Sequence, residues 1–167
     1  MITYITGGER SGKSSFAQKL VQKKTSNPVF LATARILDKE MEDRVKKHRA
    51  DRDGTWQLVE EPLYLSNHKL EGRAVLLDCV TLWLTNVFFL HHANMDDSLD
   101  WIKEEWPKLT AQVSDLVVVS NEIGMGLHGL SEESRKFTQL HGFVNQNIAQ
   151  MADEAWLLVS GIPVKLK

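Results

Sequence analysis

Short apolar runs alternate with segments of helical periodicity along this chain. Most of the runs are apolar at nearly every position, which is typical of parallel strands whose two faces are both covered by helices. Because such runs alternate with helical segments, the pattern predicts an α/β fold of βα units around a mainly parallel sheet. Five strands are predicted: Ile2–Thr6, Val29–Thr33, Ala74–Asp78, Leu116–Ser120 and Ala155–Ser160.

The segments between these runs carry apolar residues at helical spacing. Phe16, Leu20 and Val21 share one helical face, and residues 80–90 are apolar and aromatic, as in a buried helix. The polar residues 94–100 predict a loop, followed by a helix over residues 101–113. The longest apolar stripe, expected in the core, consists of Phe137, Leu140, Val144, Ile148 and Met151. The prolines are expected at element boundaries: Pro28, Pro62, Pro107 and Pro163.

Composition and charge narrow the class of protein. A length of 167 residues, with 43% apolar and 25% charged residues, indicates one globular domain over residues 1–167. The net charge of −2 gives no overall attraction to nucleic acid. The start of the chain lacks the features of a secretory signal, and no apolar run approaches the roughly 20 residues of a membrane-spanning helix. We therefore expect a cytoplasmic protein with no nucleic-acid partner and no membrane span. Its one cysteine, Cys79, is expected to be a buried apolar residue.

The segment Gly7–Ser14 reads G-G-E-R-S-G-K-S and fits the phosphate-binding pattern G-x-x-x-x-G-K-[ST]. Glycines let successive backbone N–H groups turn towards a phosphate, and the helix that follows presents its positive end to the same anion. In this pattern Lys13 bridges the β- and γ-phosphates, and the Ser14 hydroxyl binds Mg²⁺. Since the segment follows an apolar strand and opens an amphipathic helix, it predicts a P-loop NTPase-like three-layer sandwich.

A second motif supports this interpretation. Residues 74–77 are apolar and lead to Asp78, which is the form of a Walker B strand. A carboxylate at the carboxyl end of a buried strand lies near the phosphate loop and can hold Mg²⁺. We therefore predict that Ser14 and Asp78 are the metal-binding residues.

The segment 38–52 contains a histidine among cations. In a helix, Arg44, His48 and Arg52 stack at i, i+4 and i+8, and the surrounding cations should lower the pKa of His48 and leave its imidazole neutral. A neutral imidazole is a competent nucleophile towards a phosphate. From these residues alone, a solvated basic face with an incidental histidine is the favoured interpretation.

The strand ending at Ser120 continues into N-E-I-G-M-G, which is not the guanine-reading N-K-x-D motif of signalling GTPases. Its glycines, Gly124 and Gly126, indicate a tight loop at the carboxyl edge of the sheet, either for ligand binding or as a structural turn. Two alternatives to a transferase with a histidine nucleophile stay open. One is another P-loop kinase acting on a small metabolite, and the other is a nucleotide-gated interaction module.

Several motifs in the same order resemble one enzyme family along nearly the whole chain. They include T-G-G-x-R-S-G-K-S (residues 6–14), R-V-K-K-H-R (44–49), L-D-C (77–79), S-N-E-I-G-M-G (120–126), G-F-V-N-Q (142–146) and V-S-G-I-P (159–163). With these motifs the chain resembles the bifunctional adenosylcobinamide kinase / adenosylcobinamide-phosphate guanylyltransferase family of cobalamin biosynthesis.

The resemblance implies two reactions at one site. The first phosphorylates adenosylcobinamide with ATP or GTP. The second transfers GMP from GTP to adenosylcobinamide phosphate through a guanylylated histidine, at the position of His48, and gives adenosyl-GDP-cobinamide. The resemblance also implies a homotrimer, and the motifs at Ser14 and Asp78 predict Mg²⁺ as cofactor.

The family pattern assigns most of the site, with His48 and Lys13 as the catalytic residues. The nucleotide-binding positions are Gly7, Gly8, Glu9, Arg10, Ser11, Gly12, Lys13, Ser14, Thr33, Ala34, Arg35, Arg49, Ala50, Asp51, Arg52, Glu60 and Asp78. The residues that hold the corrinoid have no signature in the sequence. Four further histidines are expected to be structural or exposed on the surface: His91, His92, His128 and His141.

Overall fold

The computed structural model describes residues 1–35, 39, 54–126 and 129–167. In this part of the chain the strands are β1 (Ile2–Gly7), β2 (Val29–Ala32), β3 (Gln57–Glu60), β4 (Ala74–Asp78), β5 (Asp115–Val119), β6 (Glu154–Val159) and β7 (Ile162–Lys165). The helices are α1 (Lys13–Gln22), α2 (Val80–Leu90), α3 (Met95–Gln112) and α4 (Glu132–Met151), with a short 3-10 helix at Leu65–Asn67.

The strands form one sheet in the order β3-β2-β4-β5-β1-β6-β7. Neighbouring strands are parallel, except that β7 runs antiparallel to β6. Strand β5 lies between β1 and β4, and its last residue, Val119, is in register with Ile5 on one side and Asp78 on the other. The carboxyl ends of these three strands therefore meet at one edge of the sheet.

Helices cover both faces of the sheet, which confirms the predicted α/β sandwich. Helix α1 packs on one face, where Ala17 and Val21 join a buried cluster with Ile5, Leu76 and Val117. Helices α2, α3 and α4 pack on the other face in a larger cluster, which includes Trp83, Trp106 and Leu140. Side chains of alternating residues in β1 reach opposite layers: Tyr4 lies in the larger cluster and Ile5 in the smaller one.

The two strands that the sequence pattern did not predict, β3 and β7, are the edges of the sheet. Only Val59 of β3 is buried, and all of β7 is exposed. An edge strand has less of its surface covered, so it needs no continuous apolar run. Pro163 was expected at a boundary but lies inside β7, which is allowed because an edge strand tolerates a residue without an N–H group.

The loop predicted at residues 94–100 is wrong, because helix α3 begins at Met95. Its polar start is a helix cap: Asn94 Oδ1 accepts hydrogen bonds from the N–H groups of Asp96 and Asp97, whose charges suit the positive helix end. Pro107 lies inside α3 rather than at its boundary. Proline disfavours a helix interior, and burial of Trp106 and Leu109 beside it offsets that cost.

The apolar stripe of α4 packs as predicted, with one exception. Leu140, Val144 and Ile148 are buried and Phe137 packs against them, whereas Met151, at the last position of the helix, is 46% exposed. None of the described helices is long and apolar enough to cross a membrane.

Candidate nucleotide-binding site

The glycine-rich segment leaves the carboxyl end of β1 and enters α1, with Gly12 as the N-cap. Two of its glycines are required by the backbone. A Cβ atom on Gly7 would lie 2.4 Å from the Leu158 carbonyl oxygen, and Gly12 has a φ of 94°, which side chains rarely adopt. Gly8, in contrast, has no atom within 4 Å of the position that a Cβ would take. The loop thus bends sharply at both ends and stays open between them.

Lys13 is held inside this loop. It is only 6% exposed, and its Nζ donates a hydrogen bond of 2.6 Å to the Gly8 carbonyl oxygen. Burial lowers the pKa of Lys13, and the nearby acidic groups, including Asp78 and Glu9, oppose that shift. Within the described part of the chain, the ammonium group donates its hydrogen bond to a neutral carbonyl and not to a carboxylate. Its charge is therefore available to a bound anion.

The β6–β7 hairpin braces the loop from outside. Its two turn residues, Ser160 and Gly161, have φ values of 49° and 85°, as in a type I′ turn. The Gly161 N–H donates to the Ser11 carbonyl oxygen at 2.9 Å, and the Gly161 Cα would be 3.3 Å from a Cβ on Gly12. The Ser11 hydroxyl is buried and has no hydrogen-bond partner among the described residues. This hydroxyl can therefore bond to a ligand that enters the loop.

Asp78 ends β4 at the same edge of the sheet, with the half-buried carboxyl group electrostatically close to Lys13. Mg²⁺ in nucleotide sites takes one or two protein oxygens and fills its other positions with phosphates and water. Ser14, in the first turn of α1, and Asp78 are oxygen donors of this kind. The described residues contain no group of three His, Cys, Asp or Glu side chains that would form a metal site by themselves. The donor set fits Mg²⁺ bound together with a polyphosphate.

Thr33, which was predicted to bind nucleotide, has its hydroxyl engaged within the protein. Its Oγ1 donates to the Cys79 carbonyl oxygen at 2.8 Å and accepts from the Cys79 N–H at 3.0 Å. The Asn86 side chain donates to the Thr33 carbonyl oxygen at 2.8 Å. These bonds tie the carboxyl ends of β2 and β4 together. Cys79 is buried, as predicted, and burial raises the pKa of its thiol to about 12.

Some of the remaining predicted residues lie on the phosphate loop or at the ends of strands, and the others lie in the part of the chain that the structure does not describe. Ala34 and Arg35 follow Thr33, with Arg35 exposed. Glu60, exposed at the end of β3, is in register with Ala32 of β2. Glu9 and Arg10 are exposed on the phosphate loop. His48, Arg49, Ala50, Asp51 and Arg52 lie outside the described residues, as does His128.

A buried polar cluster next to the loop escaped the sequence analysis. It consists of Thr81, Ser120, His141 and Asn145. His141 Nε2 lies 3.0 Å from Thr81 Oγ1 and 3.3 Å from Ser120 Oγ, and the Asn145 amide nitrogen lies 3.2 Å from His141 Nδ1. Ser120 Oγ donates to Asn145 Oδ1 at 2.8 Å. The one available signal was the i, i+4 spacing of His141 and Asn145 beside the apolar stripe of α4.

His141 is enclosed by these partners: its Nδ1 lies against the Asn145 amide nitrogen and its Nε2 against two hydroxyl groups. Burial lowers the pKa of His141 to about 4, against the opposing charge of Glu122. By comparison, His91 is partly buried beside Trp101, with ring centroids 6.4 Å apart, and His92 is exposed.

A parallel sheet with a Gly7–Ser14 loop at the carboxyl end of β1 and an acidic residue at the end of β4 defines a P-loop nucleotide-binding protein. Comparison with known proteins narrows this class. The family model described as "Cobinamide kinase / cobinamide phosphate guanyltransferase" matches residues 3–166. The chain therefore belongs to this family, and its interpretation as a transferase is confirmed.

Curated relatives agree with this assignment. The chain is 38% identical to the bifunctional adenosylcobalamin biosynthesis protein CobU of Escherichia coli, with all of both chains covered. It is 36% identical to CobP of Pseudomonas aeruginosa, over 98% of this chain and 95% of that protein. It is also 36% identical to CobU of Salmonella typhimurium, over the full length of both. A solved structure, flagellar accessory protein FlaH from Methanocaldococcus jannaschii, matches with a TM-score of 0.48 and 14% identity, over 99% of this chain and 77% of that one.

Proposed function

We propose that this chain phosphorylates adenosylcobinamide with ATP or GTP and then transfers GMP from GTP to the resulting phosphate. The observation that carries the proposal is the loop around Lys13. The buried ammonium group of Lys13 contacts a neutral carbonyl group, so its positive charge can balance the negative charge of a polyphosphate. Family membership supports the choice of acceptor. Family membership also favours this transferase function over that of another small-metabolite kinase or of a nucleotide-gated interaction module.

In the first reaction, the acceptor hydroxyl oxygen attacks the γ-phosphorus. A new P–O bond forms, the bond to the β,γ-bridging oxygen breaks, and a nucleoside diphosphate leaves. The backbone N–H groups of Gly7–Ser14 and the ammonium of Lys13 hold the β- and γ-phosphates in line. Mg²⁺ held by Ser14 and Asp78 would neutralise charge on the phosphate oxygens.

In the second reaction, we propose that His48 is the nucleophile. Its imidazole nitrogen attacks the α-phosphorus of GTP, and pyrophosphate leaves. The phosphate of the acceptor then attacks the same phosphorus and displaces the histidine, which regenerates the enzyme. Two steps avoid a direct encounter between two anions, because the first nucleophile is neutral. The predicted nucleotide contacts Arg49, Ala50, Asp51 and Arg52 belong to this part of the proposal.

The proposal also covers the number of domains, the oligomeric state and the location of the protein. Residues 1–167 form one domain that carries both reactions, and three copies associate as a homotrimer, as the family resemblance implies. The exposed apolar residues of the β7 edge, Ile162 at 66% and Val164 at 44%, offer a surface for such contacts. We further propose a cytoplasmic location, where ATP and GTP are available.

Incubation with α-labelled GTP and Mg²⁺, followed by denaturing electrophoresis, tests the proposal. We expect label on the protein that is acid-labile and alkali-stable, as for a phosphorus–nitrogen bond, and no label on a His48→Ala variant. His92→Asn is the matched control, since this exposed residue has a φ of 52° that asparagine tolerates. An unlabelled wild-type protein, or a labelled His48→Ala variant, would contradict the histidine intermediate.

A further inference from the structure

The carboxyl end of β5 emerges between the two parts of the candidate nucleotide site. Val119 is in register with Ile5 of β1 and with Asp78 of β4. The chain then follows β1 for three more residues, and the Glu122 N–H donates to the Gly7 carbonyl oxygen at 2.9 Å. Glu122 is thereby fixed against the first residue of the phosphate loop, on the side of the loop that faces Asp78 across β5.

The Glu122 side chain is half-buried, and one of its oxygens is engaged. Oε1 accepts the Gly124 N–H at 2.7 Å, and within the described residues no hydrogen bond reaches Oε2. The carboxylate lies on the sheet face opposite α1. This follows because the N–H groups of Ser120 and Glu122 continue the ladder with β1, so Glu122 lies on the same face as Ser120, whose hydroxyl contacts His141 of α4. The carboxylate thus faces away from the helix that carries Ser14.

The buried polar cluster clamps the backbone on the amino side of Glu122. The Asn121 N–H donates to Thr81 Oγ1 at 3.0 Å, and the Asn145 amide donates to the Asn121 carbonyl oxygen at 3.5 Å. Ser120 Oγ donates to Asn145 Oδ1 at 2.8 Å. Because α2, α4 and β5 all contribute, the position of Glu122 is set by three packed elements rather than by a mobile loop.

Other acidic residues at this edge are less suited to meet an acceptor beside the γ-phosphate. Asp78 is the proposed metal-binding residue. Glu9 is exposed on the loop itself, and Glu60 is exposed at the end of edge strand β3. Glu122 combines partial burial, a fixed backbone and a carboxylate oxygen that is not used by the described residues. A catalytic base needs a fixed position within reach of the proton that it removes.

We propose that Glu122 is the base of the phosphorylation reaction. As the acceptor hydroxyl oxygen bonds to the γ-phosphorus, its proton passes to Glu122 Oε2, and the nucleoside diphosphate leaves with the electron pair of the broken P–O bond. The protonated Glu122 then releases the proton to water. This role rests on the proposed function, because it requires a hydroxyl acceptor.

The two reactions differ in their need for this base. The acceptor of the first is a neutral hydroxyl, which must lose a proton. The acceptor of the second is a phosphate group, which is already ionised near pH 7. A substitution that removes only the base should therefore slow the first reaction and spare the second. A substitution that merely disturbs the loop should slow both.

The test compares Glu122→Gln with Glu71→Gln, an exposed residue in the turn before β4, at the opposite end of the sheet. Glutamine keeps an oxygen for the Gly124 N–H but cannot accept the proton. We expect the kcat for phosphorylation of adenosylcobinamide to fall about 100-fold or more in Glu122→Gln. GMP transfer to purified adenosylcobinamide phosphate should stay within about twofold of wild type, as should labelling by GTP. Glu71→Gln should leave both rates unchanged.

Two results would overturn the role of Glu122 alone. One is an equal fall of both rates in Glu122→Gln, which would indicate a structural residue. The other is a phosphorylation rate equal to that of wild type. A wild-type protein that labels with GTP but never phosphorylates the hydroxyl would overturn the kinase half of the proposed function, and the role of Glu122 with it.

Discussion

The phosphate loop and the buried polar cluster lie side by side but are encoded in different ways. The loop occupies eight consecutive residues, and backbone geometry demands glycine at two of them, Gly7 and Gly12. The cluster takes one residue from α2, one from the end of β5 and two from α4, and its outermost members, Thr81 and Asn145, are 64 positions apart. Local backbone constraints leave a contiguous motif in the sequence, whereas this network leaves only the i, i+4 spacing of His141 and Asn145.

The largest expected effect concerns the charge in the loop. Lys13→Ala should lower the rates of phosphorylation and of GMP transfer about 1,000-fold, because both reactions need the ammonium against the phosphates. Steady-state assays of the two reactions measure this. Lys19→Ala, at an exposed position in the last turn of α1, is the control and should retain activity. If only one reaction failed, the two would not share this loop.

The next effect concerns the backbone of the loop. Gly7→Ala should lower the free energy of unfolding by about 3 kcal/mol, because the new methyl group would meet the Leu158 carbonyl oxygen 2.4 Å away. Urea unfolding measures the loss. Gly8→Ala, with no atom within 4 Å, should change the stability by less than about 0.5 kcal/mol. Equal losses in the two variants would mean that the loop does not bend as described.

A smaller effect, with a pH signature, is expected in the cluster. The pKa of His141 falls from 6.5 to about 4 on folding, so the unfolded chain binds more protons between these values. Stability should therefore decrease as the pH falls through this window, by up to about 2 kcal/mol between pH 7 and pH 5.

Urea unfolding of His141→Gln at the same two pH values isolates this contribution. The variant should be less stable than wild type at pH 7, because buried groups lose partners, and should lack the His141 part of the pH dependence. His92→Asn, at an exposed histidine, should keep the pH dependence of wild type. Identical pH dependence in wild type and His141→Gln would show that His141 is not held neutral.

The elements on which the site depends most were predictable from sequence. The strand before Gly7, the helix after it and the strand ending at Asp78 are strongly patterned, because both faces of those strands are buried. Edge strands β3 and β7 were missed, since exposed edges carry no such pattern. The start of α3 was missed because a capped, acidic first turn resembles a polar loop.

The functional residues also differ in how far the sequence predicts them. Lys13 and Asp78 were predicted from motifs, and the structure brings both to one edge of the sheet. Glu122 was visible only as part of a glycine-containing loop after β5. Its hydrogen bond to Gly7 depends on the strand order, in which β5 lies between β1 and β4. Strand order is a property of the whole fold and cannot be deduced from a local segment.

The turn of the β6–β7 hairpin bears on the thermodynamics of nucleotide capture. By bonding to the Ser11 carbonyl and resting on Gly12, Gly161 removes conformational freedom from the loop before any ligand arrives. Those residues lose their conformational entropy when the protein folds, so ordering them does not weaken the binding of the anion. A hairpin that contacts only the outside of the phosphate loop can therefore influence how tightly a triphosphate is held.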